Sequence, residues 1–352
     1  MSFKKSVVVG LVVLAIFAVI ASISGKASVE AASGSVEAAT GLKGTVYVAG
    51  HGGHLAIIDL ATLKPPTDIE KDRIVITEAG SEMEGKIAGM DFATVKKAGG
   101  SHGSTIIGKT LYVGLLNGSV VTYDLATGKK SAPMQVGKKF CDAVAGPDGN
   151  IYFEDMADGH VYVFDPKGLK TVDSIPVGAA VCGIQWTKNL DKAYVSDMPQ
   201  GKIFVIDWKT KKTIKEITDP EMTFIHQIRM TNDGKQVWVA AANEFDPGLK
   251  PGTHHPFIVV IDTKTDKIVE HIQLPDTVRT HDVKFSPDGK TALVSGRDYI
   301  NKDGVLVVMD VKTHKIEKTV SLCSSCHKPN GIQVTIDDGA PLLCGMAIDW
   351  KK

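Results

Sequence analysis

Apolar and polar positions alternate along this chain in short runs of β-branched and aromatic residues, without the three-to-four-residue recurrence of an amphipathic helix. Seven apolar runs close on an aspartate: 56–59, 120–124, 161–165, 204–207, 258–262, 306–310 and 346–349, ending at Asp59, Asp124, Asp165, Asp207, Asp262, Asp310 and Asp349. A turn follows each, as in Asp207-Trp208-Lys209-Thr210-Lys211 and Asp262-Thr263-Lys264-Thr265-Asp266, where the residue types favour an exposed hairpin over a continuing strand. A second phrase precedes most of them: Gly146-Pro147-Asp148-Gly149, Thr231-Asn232-Asp233-Gly234-Lys235 and Ser286-Pro287-Asp288-Gly289-Lys290. Asp-Gly between two β-rich runs is a strong hairpin signal, because glycine accepts the left-handed backbone of the tight turn.

Each unit therefore reads as four strands, repeating about every 40 to 65 residues. A lone four-stranded sheet cannot bury both faces, whereas radial stacking supplies the core and leaves few open edges, so the pattern predicts an all-β fold: a single β-propeller. Seven Asp-ended runs predict seven four-stranded blades, with six as the alternative because the gap from Asp59 to Asp124 is long. The chain opens on an orphan pair, 45–49 and 55–59, and closes on 331–336 and 342–349, so strands from both ends are expected to share one blade. No Pro/Ser-rich linker or charge block interrupts residues 40–352, which are read as one domain.

Composition sharpens this picture. The 352 residues are 43% hydrophobic, enough for a sizeable core, and 40 basic residues balance 40 acidic ones without basic blocks, which excludes a nucleic-acid footprint. Lys4 and Lys5 precede an apolar stretch, 7–23, and a run rich in small residues, 25–39. Residues 1–31 read as a signal peptide with cleavage between 27 and 39, or as an uncleaved anchor; the first reading leaves no membrane span in the mature chain. The body of the protein is expected to be exported, to a periplasm-like compartment. Five cysteines, an odd number, then leave at least one outside an intramolecular disulfide.

The unusual residues map to one face, where loops before first strands and between second and third strands emerge. Aligned on the Asp-Gly turns, Cys141, His226 and His281 begin innermost strands in register, Cys182 and His102 fit by their surroundings, and Gly331 takes the place in the last unit. Imidazole and thiolate are the usual transition-metal donors, but residues arranged radially are expected to stand too far apart to share an ion. Small polar groups at a hydrated channel mouth are therefore the favoured reading, and no metal is expected. A long second-to-third-strand connection, 243–257, carries three prolines and projects Asn243, Glu244, Phe245, Asp246, His254 and His255; an insertion of this kind on a rigid scaffold reaches a partner or ligand. Cys323-Ser324-Ser325-Cys326-His327 fits covalent c-type heme attachment, the alternative being a disulfide or reduced pair with His327 at the mouth. No nucleophile elbow, phosphate loop or metalloprotease motif is present, and Glu154 and Asp155 read as surface groups at a strand end.

The phrases Leu111-Tyr112-Val113, Ala193-Tyr194-Val195-Ser196 and Val237-Trp238-Val239-Ala240 resemble the Tyr-Val-Thr-Asn-type repeats of exported bacterial propellers. As a whole the chain is similar to the beta subunits of hydrazine synthase, a family of signal-bearing propellers with a 243–257-like extension. That resemblance implies a seven-bladed, non-catalytic subunit without heme of its own, with heme c in the alpha and gamma partner subunits and the long loop near the tunnel between them. It further implies a place in the anammoxosome lumen and a part in making hydrazine from nitric oxide and ammonium. Heme c at Cys323, Cys326 and His327 stays open as an alternative, as does an assembly propeller binding a tetrapyrrole over His226 and His281.

Overall fold

Short β-branched runs punctuated by Asp and Gly fold as antiparallel hairpins, and every regular element among the described residues of this computed structural model is a strand. The structure describes residues 41–66, 73–77, 99–178, 180–242, 256–298, 300–301, 303–322 and 343–351, with Ser81–Met83 and Val95–Ala98 described by backbone alone. The signal segment 1–31 with its cleavage window, the loop residues Asn243, Glu244, Phe245, Asp246, His254 and His255, the trio Cys323, Cys326 and His327, and Gly331 lie outside the described residues. No helix among the described residues is long and apolar enough to cross a membrane.

Six four-stranded sheets form the blades of a β-propeller. Their innermost strands, from the first blade to the sixth, are Leu343–Trp350, Ser101–Ile107, Phe140–Ala145, Val181–Trp186, Ile225–Met230 and Val278–Phe285. Each packs beside the next and the sixth returns to the first, so the ring is closed. The first blade is composite, in the order Leu343–Trp350, Gly44–Gly50, His54–Asp59, Arg73–Val75, and closes the ring with strands from both ends of the chain.

The expectation of seven blades is corrected to six. Thr45 pairs with Asp59 on one side and with Asp349 on the other, so the first and the seventh Asp-ended runs lie in the same blade. The long interval before Asp124 holds a two-stranded sheet, Ser81–Met83 with Val95–Ala98, and no further blade among the described residues.

The recurring aspartate has a local cause. Asp124, Asp207, Asp262 and Asp310 accept the backbone N–H of the threonine three residues on, at 2.8, 2.7, 2.8 and 2.7 Å. The residue four on from each blade's aspartate takes a positive φ: Leu63, Gly128, Leu169, Lys211, Asp266 and His314. This turn launches each outermost strand. Apolar clusters then fill the six interfaces between neighbouring blades, as where Val46 and Ile58 of the first blade meet Leu293 and Leu306 of the sixth. Each fully buried Val, Ile or Leu contributes roughly 1.5–3 kcal/mol, so stability resides in the contacts between blades and depends on the ring being closed.

Two close approaches narrow the channel. A Cβ at Gly103 would land on the backbone of Asp142 in the neighbouring blade, and one at Gly183 would sit 2.9 Å from the Ile228 nitrogen. Only glycine lets these innermost backbones draw so near.

Candidate functional site

Every innermost strand slips register once, near the same face of the ring: between Ser101 and Ser104, Phe140 and Asp142, Val181 and Gly183, Ile225 and Ile228, and Thr280 and Asp282. In the first blade the slip lies opposite Val48 and Gly50, whose partners are Met346 and Leu343. A bulge of this kind re-aims a side chain, and the residues within the slips include His102, Cys141, Cys182, His226, His281 and Cys344. The slips thus gather Cys141, His226 and His281, aligned by the Asp-Gly turns, with Cys182 and His102, placed by their surroundings, at one level of the ring. In the first blade the corresponding place belongs to Cys344 rather than Gly331, because Leu343–Trp350 is the innermost strand there. Cys344 has no Asp-Gly turn downstream to mark it.

The six-bladed ring is tight enough for these side chains to touch. Cys141 and Cys182, on adjacent blades, form a disulfide with a Cα–Cα distance of 4.9 Å. Leu116, Met156, Met198 and Phe224 make an apolar collar about it. His226 and His281 stack with centroids 3.9 Å apart, and His281 meets His102 edge-on at 5.0 Å. His51 continues the series at 5.2 Å from His102. It follows Gly44–Gly50 in the turn to the next strand, and Ser101 Oγ anchors that turn by donating to the Gly50 carbonyl at 2.8 Å. Sequence reasoning passed over His51 because nothing in its turn distinguishes it from a surface residue.

Spacing does not keep these groups apart as expected from a radial arrangement. One donor atom each from His51, His102 and Cys344 lie within 4.8 Å of one another, and so do atoms of Cys141, Cys182 and His226, all of them buried. In the second set the sulfurs are bonded to each other. Burial, and then the neighbouring His51, hold His102 well below the usual imidazole range; burial, and then His226 and His102, do the same for His281. Both rings are therefore neutral at pH 7. His102 Nδ1 bonds to the Cys141 carbonyl, and His281 Nδ1 bonds to Gln227 Oε1 at 2.7 Å. Those oxygens only accept, so in each ring Nδ1 carries the proton and Nε2 keeps its lone pair.

Beneath the ring lies a layer of buried charge. Arg229 Nη2 bridges Asp142 Oδ2 at 2.7 Å and Asp282 Oδ1 at 3.0 Å, and Lys284 Nζ lies 3.5 Å from Asp282 Oδ2. Burial opposes the charge on Arg229, yet Asp142 and Asp282 outweigh it and strengthen its hold on the proton. Burial, partly offset by Arg229, pushes Asp142 above the usual carboxylate range. Glu154, opposite Asp142 in the second strand of its blade, is pushed well above that range by burial and then by the charge of Asp142. Both of its oxygens are buried without an ion-pair partner among the described residues, which penalises the carboxylate more than the neutral acid.

The surface assignment of Glu154 and Asp155 is thus overturned: both are fully buried. Asp155 serves a turn, its Oδ2 accepting the backbone N–H of Lys138 and Lys139 at 2.6 and 2.9 Å. On the opposite side of the charge layer a cavity of about 230 Å³ opens between Ser104, Arg229, Lys284, Met346 and Trp350. Chemically, the arrangement is a ring of soft and imidazole donors above an electrically balanced layer, with the thiol of Cys344 set beside the imidazoles of His51 and His102.

A family model described as the cytochrome D1 heme domain matches residues 180–336, less than half of the chain. The solved structure titled Kuenenia stuttgartiensis Hydrazine Synthase is similar with a TM-score of 0.52 and 21% identity, covering 68% of this chain and 70% of that one. At that identity the likeness speaks to the fold. No curated protein sequence matches the chain. What the comparisons share is the propeller, and the heme-domain match falls on the blades that carry Cys182, His226 and His281.

Proposed function

We propose that this chain is a propeller subunit of a heme redox complex, and more narrowly the non-catalytic subunit of a hydrazine synthase. The observation that carries the reading is the heme-domain match across the blades whose innermost strands bring His226 and His281 into stacking contact at the channel mouth. The likeness in fold to a hydrazine synthase structure supports the same assignment. In this role the chain supplies a rigid face and the electron transfer is done by heme c in the alpha and gamma subunits. The long connection, 243–257, leaves the ring at Ala242, whose N–H is held 3.0 Å from the carbonyl of Phe224, two residues from His226. A loop leaving from that point is suited to reach a heme-bearing partner and to narrow the path to its tunnel.

The test is copurification of the intact chain from its native membrane-free extract, with mass spectrometry of its partners and a pyridine hemochrome spectrum of the separated chain. Multiheme partners and no heme on the chain itself are expected. A chain that elutes alone with one covalent heme would instead be a c-type cytochrome attached through Cys323 and Cys326. The stacked pair of His226 and His281 favours one second reading, an assembly propeller that binds a tetrapyrrole non-covalently, recognised by a pigment that leaves in acidified acetone.

A further inference from the structure

The ring divides chemically into two halves. On one side the sulfurs of Cys141 and Cys182 are consumed in a disulfide and have no thiolate to offer. On the other, His51, His102 and Cys344 converge from the first and second blades, with one donor atom each inside 4.8 Å and all three residues buried. Tetrahedral zinc, with bonds near 2.0–2.1 Å to nitrogen and about 2.3 Å to sulfur, needs donors roughly 3.3–3.7 Å apart. Small side-chain rotations cover the difference.

The surroundings prepare this half for a cation. His102 has its proton fixed on Nδ1 by the Cys141 carbonyl, and orienting a ligand imidazole through its other nitrogen is the usual support around a bound metal. His281 meets His102 edge-on at 5.0 Å and is likewise fixed through Gln227 Oε1, so it walls the site on that side. Ser295 Oγ donates to the Cys344 carbonyl at 2.8 Å and steadies the strand that presents the sulfur.

We propose that His51, His102 and Cys344 form a binding site for one thiophilic transition-metal ion, Zn²⁺, with the fourth position of the tetrahedron left to an exogenous ligand. Thiolate and imidazole donors select zinc over magnesium or calcium, which want oxygen. Binding exchanges the thiol proton of Cys344 for the metal, one proton leaving to solvent for each ion taken up. This inference goes beyond the reading of the chain as a subunit and does not depend on it.

The full chain, purified without reductant and stripped with a chelator, is titrated with Co²⁺ alone as the spectroscopic probe and then with Zn²⁺. One Co²⁺ per chain is expected, with a near-ultraviolet thiolate charge-transfer band and the visible bands of tetrahedral cobalt, both removed by Zn²⁺. Cys344→Ser should abolish the charge-transfer band while leaving the circular dichroism unchanged. His51→Gln and His102→Gln should each weaken binding at least about tenfold. X-ray absorption on the zinc-loaded parent keeps the test independent of variant folding: one sulfur near 2.3 Å with nitrogens near 2.0–2.1 Å is expected. The proposal is overturned by a charge-transfer band that survives Cys344→Ser, by a shell of nitrogen and oxygen only, or by the absence of saturable binding at micromolar metal.

Discussion

Arg229→Met removes the cation shared by Asp142 and Asp282 while keeping much of the side chain's apolar stem, so its effect reports the charge. Deleting one member of a buried ionic group costs about 3–5 kcal/mol, since the partners stay buried without compensation. Here two carboxylates at 2.7 and 3.0 Å lose the same guanidinium, and about 4–5 kcal/mol is expected at pH 7. The assay is the urea-unfolding midpoint of the intact chain, followed by tryptophan fluorescence from pH 4 to pH 8. Asp142 is already pushed up by burial, and without Arg229 it loses the charge that opposes the push. Its folded-state proton is then held to higher pH than in the unfolded chain, so the variant is most stable near pH 4. It loses up to about 1.4 kcal/mol per pH unit above the free Asp value of about 3.9. Adding Asp142→Asn should restore part of the loss at pH 7 and flatten the slope. A variant within about 1 kcal/mol of the parent, with the parent's pH profile, would refute the view that these charges are mutually compensated.

Glu154→Gln should stabilise the fold at neutral pH. The parent keeps the proton on Glu154 while the unfolded carboxyl releases it above about pH 4.3, at a loss of about 1.4 kcal/mol per unit; calorimetry should show parity near pH 4, a gain at pH 6, and any loss at pH 6 would mean the carboxylate is ionised and paired. Replacing both Cys141 and Cys182 with serine opens a link of 41 residues, worth about 4 kcal/mol by loop entropy. The double variant should unfold at lower denaturant and be insensitive to dithiothreitol, whereas an unchanged midpoint would deny the disulfide a structural role. Gly103→Ala drives a methyl into the backbone of Asp142 and should cost roughly 1–3 kcal/mol in thermal unfolding; a neutral result would show that the innermost strands can separate there.

The features legible in the sequence are those written locally. Asp207, Asp262 and Asp310 each satisfy a backbone donor three residues away, so the turn they make recurs as a readable phrase, and Gly149, Gly234 and Gly289 mark hairpins by taking a positive φ. Blade number is different. Asp349 looks like its counterparts, but its strand is innermost because it pairs with Thr45, a long-range choice that no neighbouring residue records. The site was legible as far as the Asp-Gly register extended, to Cys141, His226 and His281, and by analogy to Cys182 and His102. Cys344 and His51 lay beyond it, one on the closing strand and one in a turn. The burial of Glu154 was hidden for a related reason: it is held neutral by burial and by Asp142, within a layer whose other members, such as Arg229, come in from another blade.

The pairing of Leu343–Trp350 with Gly44–Gly50 joins residues about 300 positions apart, a closure whose entropic cost grows only logarithmically with length. Cys344 rides on the first of these strands and His51 directly follows the second. The donors proposed for the metal therefore do not exist together in any chain whose seam is undone, and completing the circle creates the binding site in the same event. An ion held there would work as a clasp across the seam, slowing its opening by the full free energy of its own release. The lifetime of the closed circle would then depend on metal supply.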